Sequence, residues 1–344
     1  MSARLERVRA ATEDAFLITK PVNVTWLTGL ESSNAGVLVE PDRERIFTDF
    51  RYLEKAKATG IEVVEIPRSL FAKLPALLPT RVAFESEHLP YASWAAIDAA
   101  GVETVPTRHV MEGVRAVKEP EELDAIRQAA EFTNEAFARL AEEKFTGRTE
   151  KELAWWIERT MRDLGADGVA FPPIVACGGN GALPHASPRD VAIEPGQMVV
   201  VDAAAAYGGY NSDCTRTFST GGVPDELAQS YDLCLQAQLA GLEATRAGKK
   251  GADVDAVSRQ VIADGGMGDL FAHGLGHGLG MEVHEQPAMR PESEDVLQVD
   301  GVVTVEPGIY HPGLGGIRIE DLVFIRDGEP EILTSFTKEL VTLS

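Results

Sequence analysis

Apolar and polar positions alternate in short runs over the first hundred residues. AFLITK, AGVLVE, ERIFTDF, IEVVEI and RVAFES are bounded by turn formers, and each predicts a strand. Between them RYLEKAKATG and PYASWAAIDAAG predict helices that stop at Gly60 and Gly101. Strand and helix in alternation predict an α/β domain over residues 1–113. From residue 114 the pattern changes. Pro120 suits the first position of a helix, with Glu121 and Glu122 in its first turn, and the helical pattern continues to Gly147. Thr149 and Glu152 form a capping box ahead of LAWWIERTMRDLG. DELAQSYDLCLQAQLAGLEATRAG and ADVDAVSRQVIADGG predict two further helices. Strand-rich segments with hairpin turns lie between and after these helices, so residues 114–344 predict an α+β domain.

Several of those strands carry carboxylates. Asp202 closes the apolar run QMVVVD, and Asp213 lies in YNSDCTRTF. A turn centred on Tyr207 and Gly208 would set the two aspartates directly across a hairpin. Like charges so placed repel, and a carboxylate beside MVVV is costly to bury without a partner. A divalent cation between them offsets both penalties. The alternative is one aspartate at a turn and the other paired to Arg216. The pattern recurs downstream. Glu306 ends GVVTVE, Glu320 lies in GGIRIED, and a hairpin centred near Gly313 brings them together. Strand-end salt bridges, with Arg318 as a partner, are the alternative for this pair.

HGLGHGLGMEVHE, residues 273–285, contains three of the seven histidines. His273 and His277 have the spacing of a helical zinc motif, but glycines at 274, 276, 278 and 280 oppose a helix. A period of two predicts an extended strand with His273 and His277 on one face. The glycine backbone on the other face suits close approach of a second segment. Residues four apart in a strand are ~13 Å apart, so at most one of these histidines binds a given ion. Four carboxylates and one imidazole favour a harder ion such as manganese over a thiolate-type zinc site.

Composition narrows the setting. With 32 basic and 54 acidic side chains, the net charge is −22, which argues against non-specific binding to nucleic acid or anionic membrane. Acidity with few lysines suggests a salt-adapted host. The odd count of three cysteines, Cys177, Cys214 and Cys234, predicts buried free thiols. The stretch MSARLERVRAATEDAF has no secretory pattern, and no apolar run is long enough to span a membrane. A soluble cytoplasmic protein is the expectation.

In order, VVVDAAAAYGGYNSDCTRTF, HGLGHGLGMEVHE, TVEPGIY and GIRIED resemble the metal motifs of the pita-bread metallopeptidases. NVTWLTGL with IFTDFRYLEKA resembles the N-terminal domain of the prolidase and aminopeptidase P branch, and ALPHASP resembles its segment with an additional active-site histidine. The resemblance implies an α/β N-terminal domain followed by an α+β pita-bread (creatinase/aminopeptidase) catalytic domain. It implies that Asp202, Asp213, His277, Glu306 and Glu320 hold two divalent ions, manganese first and cobalt or zinc as alternatives. Asp213 and Glu320 would bridge the ions. Glu306, His185 and His284 would be catalytic. His185, His273, His284 and Arg318 would face substrate, with Arg318 alternatively anchoring Glu320. The chain departs from the family in AAAA from Ala203, where many relatives have glycine, and in Met281, where leucine is common.

The implied reaction is hydrolysis of Xaa-Pro bonds by metal-bound hydroxide, in dipeptides first because the chain has no large insertions. Aminopeptidase P action on longer peptides and ectoine-type amide hydrolysis are the enzymatic alternatives. A non-catalytic peptide-binding module is the alternative from another class. The family also implies a homodimer.

Overall fold

A computed structural model describes residues 2–343, which form two compact units divided between Arg115 and Ala116. In the first unit six strands form one mixed sheet: β1 (Phe16–Ile18), β2 (Ala35–Val39), β3 (Glu44–Thr48), β4 (Glu62–Glu65), β5 (Arg81–Glu85) and β6 (Glu103–Thr107). Their order is β4-β3-β2-β1-β5-β6. Leu17, Leu38, Phe47, Val82 and Phe84 bury one sheet face against Leu70, Leu74 and Ile97 from the helical segments. The sequence pattern finds five of these strands and misses β6, which contains Pro106. Proline cannot donate to a ladder and is confined to edge strands, and β6 is an edge strand. The helices Ser2–Ala10, Pro21–Thr28 and Val110–Ala116 are also additional to the prediction.

The second unit opens on helices Pro120–Leu140 and Glu150–Leu164. The Thr149–Glu152 capping box is present in both directions. The first helix stops at Leu140, not near Gly147 as the pattern predicts. Leaving the helix lets Phe145 drop into the core formed by Phe137, Leu140, Leu153 and Ile157. Gly147, at φ 86°, then serves the turn before the next helix.

Among the described residues, thirteen further strands make four sheets. They are β7 (Gly168–Val169), β8 (Ile174–Cys177), β9 (Met198–Asp202), β10 (Ala205–Tyr207), β11 (Tyr210–Asn211), β12 (Thr215–Ser219) and β13 (Gly276–Gly278). Then follow β14 (Glu285–Met289), β15 (Val302–Val305), β16 (Gly308–His311), β17 (Gly315–Arg318), β18 (Asp321–Phe324) and β19 (Glu331–Ile332). The orders are β11-β10-β7, β12-β9-β8, β14-β13-β15-β18-β19 and the hairpin β16-β17. Helices Asp225–Ala244 and Gly251–Asp264 cover the later strands as the earlier pair covers β8 and β9. Ala203, Ala204 and Ala205 are fully buried. Among the described residues, no helix is long and apolar enough to cross a membrane.

Candidate active site

Gly208 and Gly209 both adopt positive φ, 59° and 82°. That is a two-residue hairpin turn, which needs left-handed backbone at both positions. Tyr207 therefore pairs with Tyr210, and Asp202 pairs with Thr215. This corrects the expected register, in which Asp202 faces Asp213. A turn on Tyr207 and Gly208 would force the tyrosine into a strained left-handed conformation. Because side chains alternate with period two, Asp213 keeps its face and lies diagonal to Asp202. Both line one cavity.

The second hairpin has the expected register. Val305 pairs with Asp321 and Gly308 with Arg318, a ladder centred on Gly313. Glu306 and Glu320 thus stand opposite each other where the five-stranded sheet gives way to the β16–β17 hairpin.

The glycine-rich stretch forms a shorter strand than predicted. Only Gly276–Gly278 is β-strand, with a bulge between His277 and Gly278. The glycines act by close approach. A Cβ at Gly276 would lie 2.0 Å from the Thr304 carbonyl oxygen, and one at Gly278 would lie 2.1 Å from that of Gln286. The backbones on either side leave no room for a side chain, so β13 fits between β14 and β15 only with glycine there.

These elements converge on a cavity of about 880 Å³. Asp202, Asp213, His277, Glu306 and Glu320 all line it, as do His185, His273, His284 and Arg318. Donor atoms of Asp213, His277 and Glu320 lie within 4.8 Å of one another. His277 Nε2 is 3.2 Å from Glu306 Oε1 and 3.9 Å from Asp213 Oδ2. Its Nδ1 is 3.0 Å from the Gly278 carbonyl oxygen, which orients the ring and turns Nε2 toward the carboxylates.

Arg318 is committed to the site's frame. Its Nη2 donates to Asp202 Oδ2 at 2.6 Å, its Nε to Thr215 Oγ1 at 3.1 Å, and its Nη1 to Tyr310 Oη and the Pro184 carbonyl. Thr215 Oγ1 in turn donates to Glu320 Oε2 at 2.7 Å. This geometry makes Arg318 an anchor for Asp202 directly and for Glu320 through Thr215. Arg216, the alternative partner for an aspartate, instead pairs with Asp321.

The fit to cations can be judged from the donors. Asp202 Oδ1 is buried with no hydrogen-bond partner among the described residues, an arrangement that is costly unless a ligand completes it. Burial, then the charge of Asp202, pushes the Asp213 carboxyl well above its usual range. Burial, then the charge of Asp213, does the same to Glu320. Burial opposes ionisation of Glu306 and His277 as well, but their mutual hydrogen bond and charge hold Glu306 at about 2 and His277 at about 9. So much negative charge has too little compensation from protein cations alone. Divalent ions would supply it, and the donor set of carboxylate oxygens and one imidazole nitrogen suits them. The thiols do not compete. Cys214 is adjacent to Asp213, but its Sγ faces the Glu320 carbonyl, and all three cysteines are free and buried.

A pH effect follows. Without metal, burial favours the protonated forms of Asp213 and Glu320, and His277, held at about 9, carries a proton at neutral pH; ligation requires these protons to be released. Metal binding is therefore expected to expel protons, and apparent affinity should rise with pH. Calorimetry at pH 7 in buffers of different ionisation enthalpy checks this. A binding enthalpy independent of the buffer would contradict it.

His284 is exposed at the mouth, with its ring centroid 4.4 Å from that of His277. Burial, then nearby His277, lowers its pKa, so it is neutral at neutral pH and can donate a hydrogen bond. His273 Nε2 is 3.0 Å from Tyr310 Oη, and burial keeps its imidazole neutral. His185 is exposed on a loop beside half-buried Pro184 and buried Ala186. Sequence reasoning misses Tyr310, Thr215 and Arg290, along with the apolar wall of Phe171, Pro172, Ile174 and Val283. TRTF and TVEPGIY contain the first two, but the contacts of Thr215 with Glu320 and of Tyr310 with His273 cross long stretches of chain and leave no local signal.

Two hairpins and a glycine-bounded strand around a buried carboxylate cluster define a metal-dependent hydrolase with the pita-bread fold. The sequence profile of metallopeptidase family M24 matches residues 124–327, and that of the creatinase/prolidase N-terminal domain matches residues 3–117. The chain belongs to metallopeptidase family M24, in its prolidase and aminopeptidase P branch. It is 38% identical over 338 residues to the uncharacterized peptidase YqhT of Bacillus subtilis, covering 96% of each chain. The structure of an Xaa-Pro dipeptidase from Bacillus anthracis superposes with a TM-score of 0.95 at 34% identity, covering 99% of each chain. An X-Pro aminopeptidase from Thermotoga maritima gives 0.87 at 35% identity, covering 99% of this chain and 100% of that one.

Proposed function

We propose that this chain hydrolyses Xaa-Pro dipeptides with two divalent ions, manganese foremost. Asp202, Asp213, His277, Glu306 and Glu320 would hold them. Such ions, when bound, activate water near neutral pH and polarise a carbonyl. The protein's own groups do the rest. Glu306, a carboxylate lining the same cavity, would accept the proton of the attacking water. His284 and His185 donate hydrogen bonds to the carbonyl oxygen as it gains charge. The apolar wall of Phe171, Pro172, Ile174 and Val283 keeps the cavity dry around a proline ring.

The observation that carries the dipeptide reading is Arg290. It lines the cavity, is exposed, and has no carboxylate partner among the described residues. A dipeptide has its free carboxylate one residue from the scissile bond, where a longer peptide has an amide. A guanidinium discriminates between the two. The likeness to the Bacillus anthracis Xaa-Pro dipeptidase supports this reading. The likeness to the Thermotoga maritima X-Pro aminopeptidase favours a second one, action on longer peptides.

A substrate panel on manganese-loaded protein tests both, comparing Xaa-Pro dipeptides, Xaa-Pro tripeptides, dipeptides without proline, and ectoine. The expected result is turnover of Xaa-Pro dipeptides above all others. Equal turnover of tripeptides would move the reading to the aminopeptidase, and cleavage of ectoine alone would defeat it. Arg290→Ala is expected to raise KM for the dipeptide roughly tenfold, the effect of losing about 1.4 kcal/mol, and to leave any tripeptide KM nearly unchanged.

A further inference from the structure

The loop bearing His185 has little regular structure of its own. After the short turn Gly178–Asn180, the chain runs through bends and coil to Val191, stabilised locally by Leu183 N–H to the Asn180 carbonyl and Ala186 N–H to the Leu183 carbonyl. Yet this loop supplies Pro184, His185 and Ala186 to the cavity wall. Its position must therefore come from outside.

One buried side chain closes the base. Glu150, the first residue of helix Glu150–Leu164, is fully buried. Its Oε1 accepts from Cys177 N–H at 2.9 Å and Arg189 Nη2 at 2.9 Å. Its Oε2 accepts from Asn180 Nδ2 at 3.0 Å, Arg189 N–H at 2.6 Å and Arg189 Nε at 3.1 Å. Backbone N–H groups from both ends of the loop, residues 177 and 189, thus meet on one carboxylate. Asn180 Nδ2 also reaches the Ser187 carbonyl at 3.2 Å and ties the two limbs together. The free end is tethered separately, by Arg318 Nη1 to the Pro184 carbonyl.

Burying a carboxylate this deeply is costly unless its lone pairs are filled. Here they are filled, and every donor belongs to the His185 loop or its two ends. Stability alone would be served as well by an apolar residue packed against the loop. A carboxylate node does something an apolar contact does not, because it sets direction as well as proximity at both limbs.

We propose that Glu150 is a positioning residue that holds the His185 loop at the distance from the metal-ligand hairpins that catalysis requires. The proposal rests on the role assigned above to His185. Glu150 touches neither substrate nor the reacting atoms and acts through the loop.

A double-mutant cycle on the metal-loaded full chain tests it, with Glu150→Gln, His185→Ala and the double variant assayed on an Xaa-Pro dipeptide. Melting temperature and metal content are measured in parallel. Glu150→Gln is expected to lower kcat about tenfold with metal content unchanged, and to lower it less than twofold once His185 is already alanine. If the two losses multiply, Glu150 does not act through His185 and the proposal is overturned. It is equally overturned if Glu150→Gln leaves kcat intact. If His185→Ala retains full activity, the role given to His185 falls, and this proposal falls with it. Should Glu150→Gln fail to fold, Asn180→Ala serves in its place. It removes the ties of Asn180 to Glu150 and to the Ser187 carbonyl and leaves the Glu150–Arg189 pair, and the same non-additivity with His185→Ala is expected. Additive losses there would overturn the proposal.

Discussion

Asp213→Asn is expected to abolish hydrolysis and, in the metal-free protein, to raise stability. The two effects share one cause. Asparagine keeps the shape of aspartate but removes the charge that binds a cation, so activity should fall by at least about a thousandfold. In the metal-free fold, burial and the charge of Asp202 raise the Asp213 pKa well above its ordinary value of 3.8. The unfolded chain ionises this group at its ordinary pKa, and burial in the folded chain favours the protonated form. A raised carboxyl pKa therefore destabilises the fold at every pH above the unfolded value. Asparagine removes that penalty. The gain should disappear below about pH 4, where the group is protonated in both states. Thermal melts of both proteins with chelator, at pH 7 and near pH 3.5, check the sign. A variant less stable than the parent at pH 7 would show that Asp213 is a structural partner and not a metal ligand.

Removing metal from the parent chain should have the opposite effect on stability. Ions that bind only the folded state stabilise it by about 4 kcal/mol when present at a thousand times their dissociation constant. For a unit of this size that is roughly 10 °C in melting temperature. Chelation is expected to lower the melting temperature by about that much and to abolish turnover, with manganese restoring both. Asp213→Asn should show little response to either treatment. Unchanged turnover after exhaustive chelation would remove the metal from the reaction altogether.

The site was legible in the sequence wherever local pattern governs it. A carboxylate at the end of an apolar strand is unusual enough to notice once, and two such pairs made the metal reading compelling. The turn residues around Gly313 placed Glu306 opposite Glu320, as the ladder has it. The glycines of the histidine stretch announced close approach, and Thr304 and Gln286 are what approach. The register of the first hairpin was readable in principle. Gly-Gly between two tyrosines is a stronger two-residue turn than Tyr-Gly, and centring it there pairs Asp202 with Thr215.

What stayed hidden was long-range. Arg318 reaches Asp202 across 116 positions, and Thr215 reaches Glu320 across 105. No periodicity encodes such a pairing. It follows from how the sheets pack. Glu150 reads in sequence as a first-turn helix residue beside a capping box, which it is, and its hydrogen bonds to the His185 loop exist only once the loop returns. The edge strand around Pro106 was lost for a different reason. Its composition argues against a strand unless the sheet order is already known.

The central claim is that five side chains, drawn from two hairpins and one strand, hold a pair of ions. Elemental analysis of manganese-loaded, gel-filtered protein tests it most directly, with Asp213→Asn measured alongside. The account predicts about two ions per chain in the parent and at most about one in the variant. Equal metal content in the two proteins, or none in the parent, would contradict it.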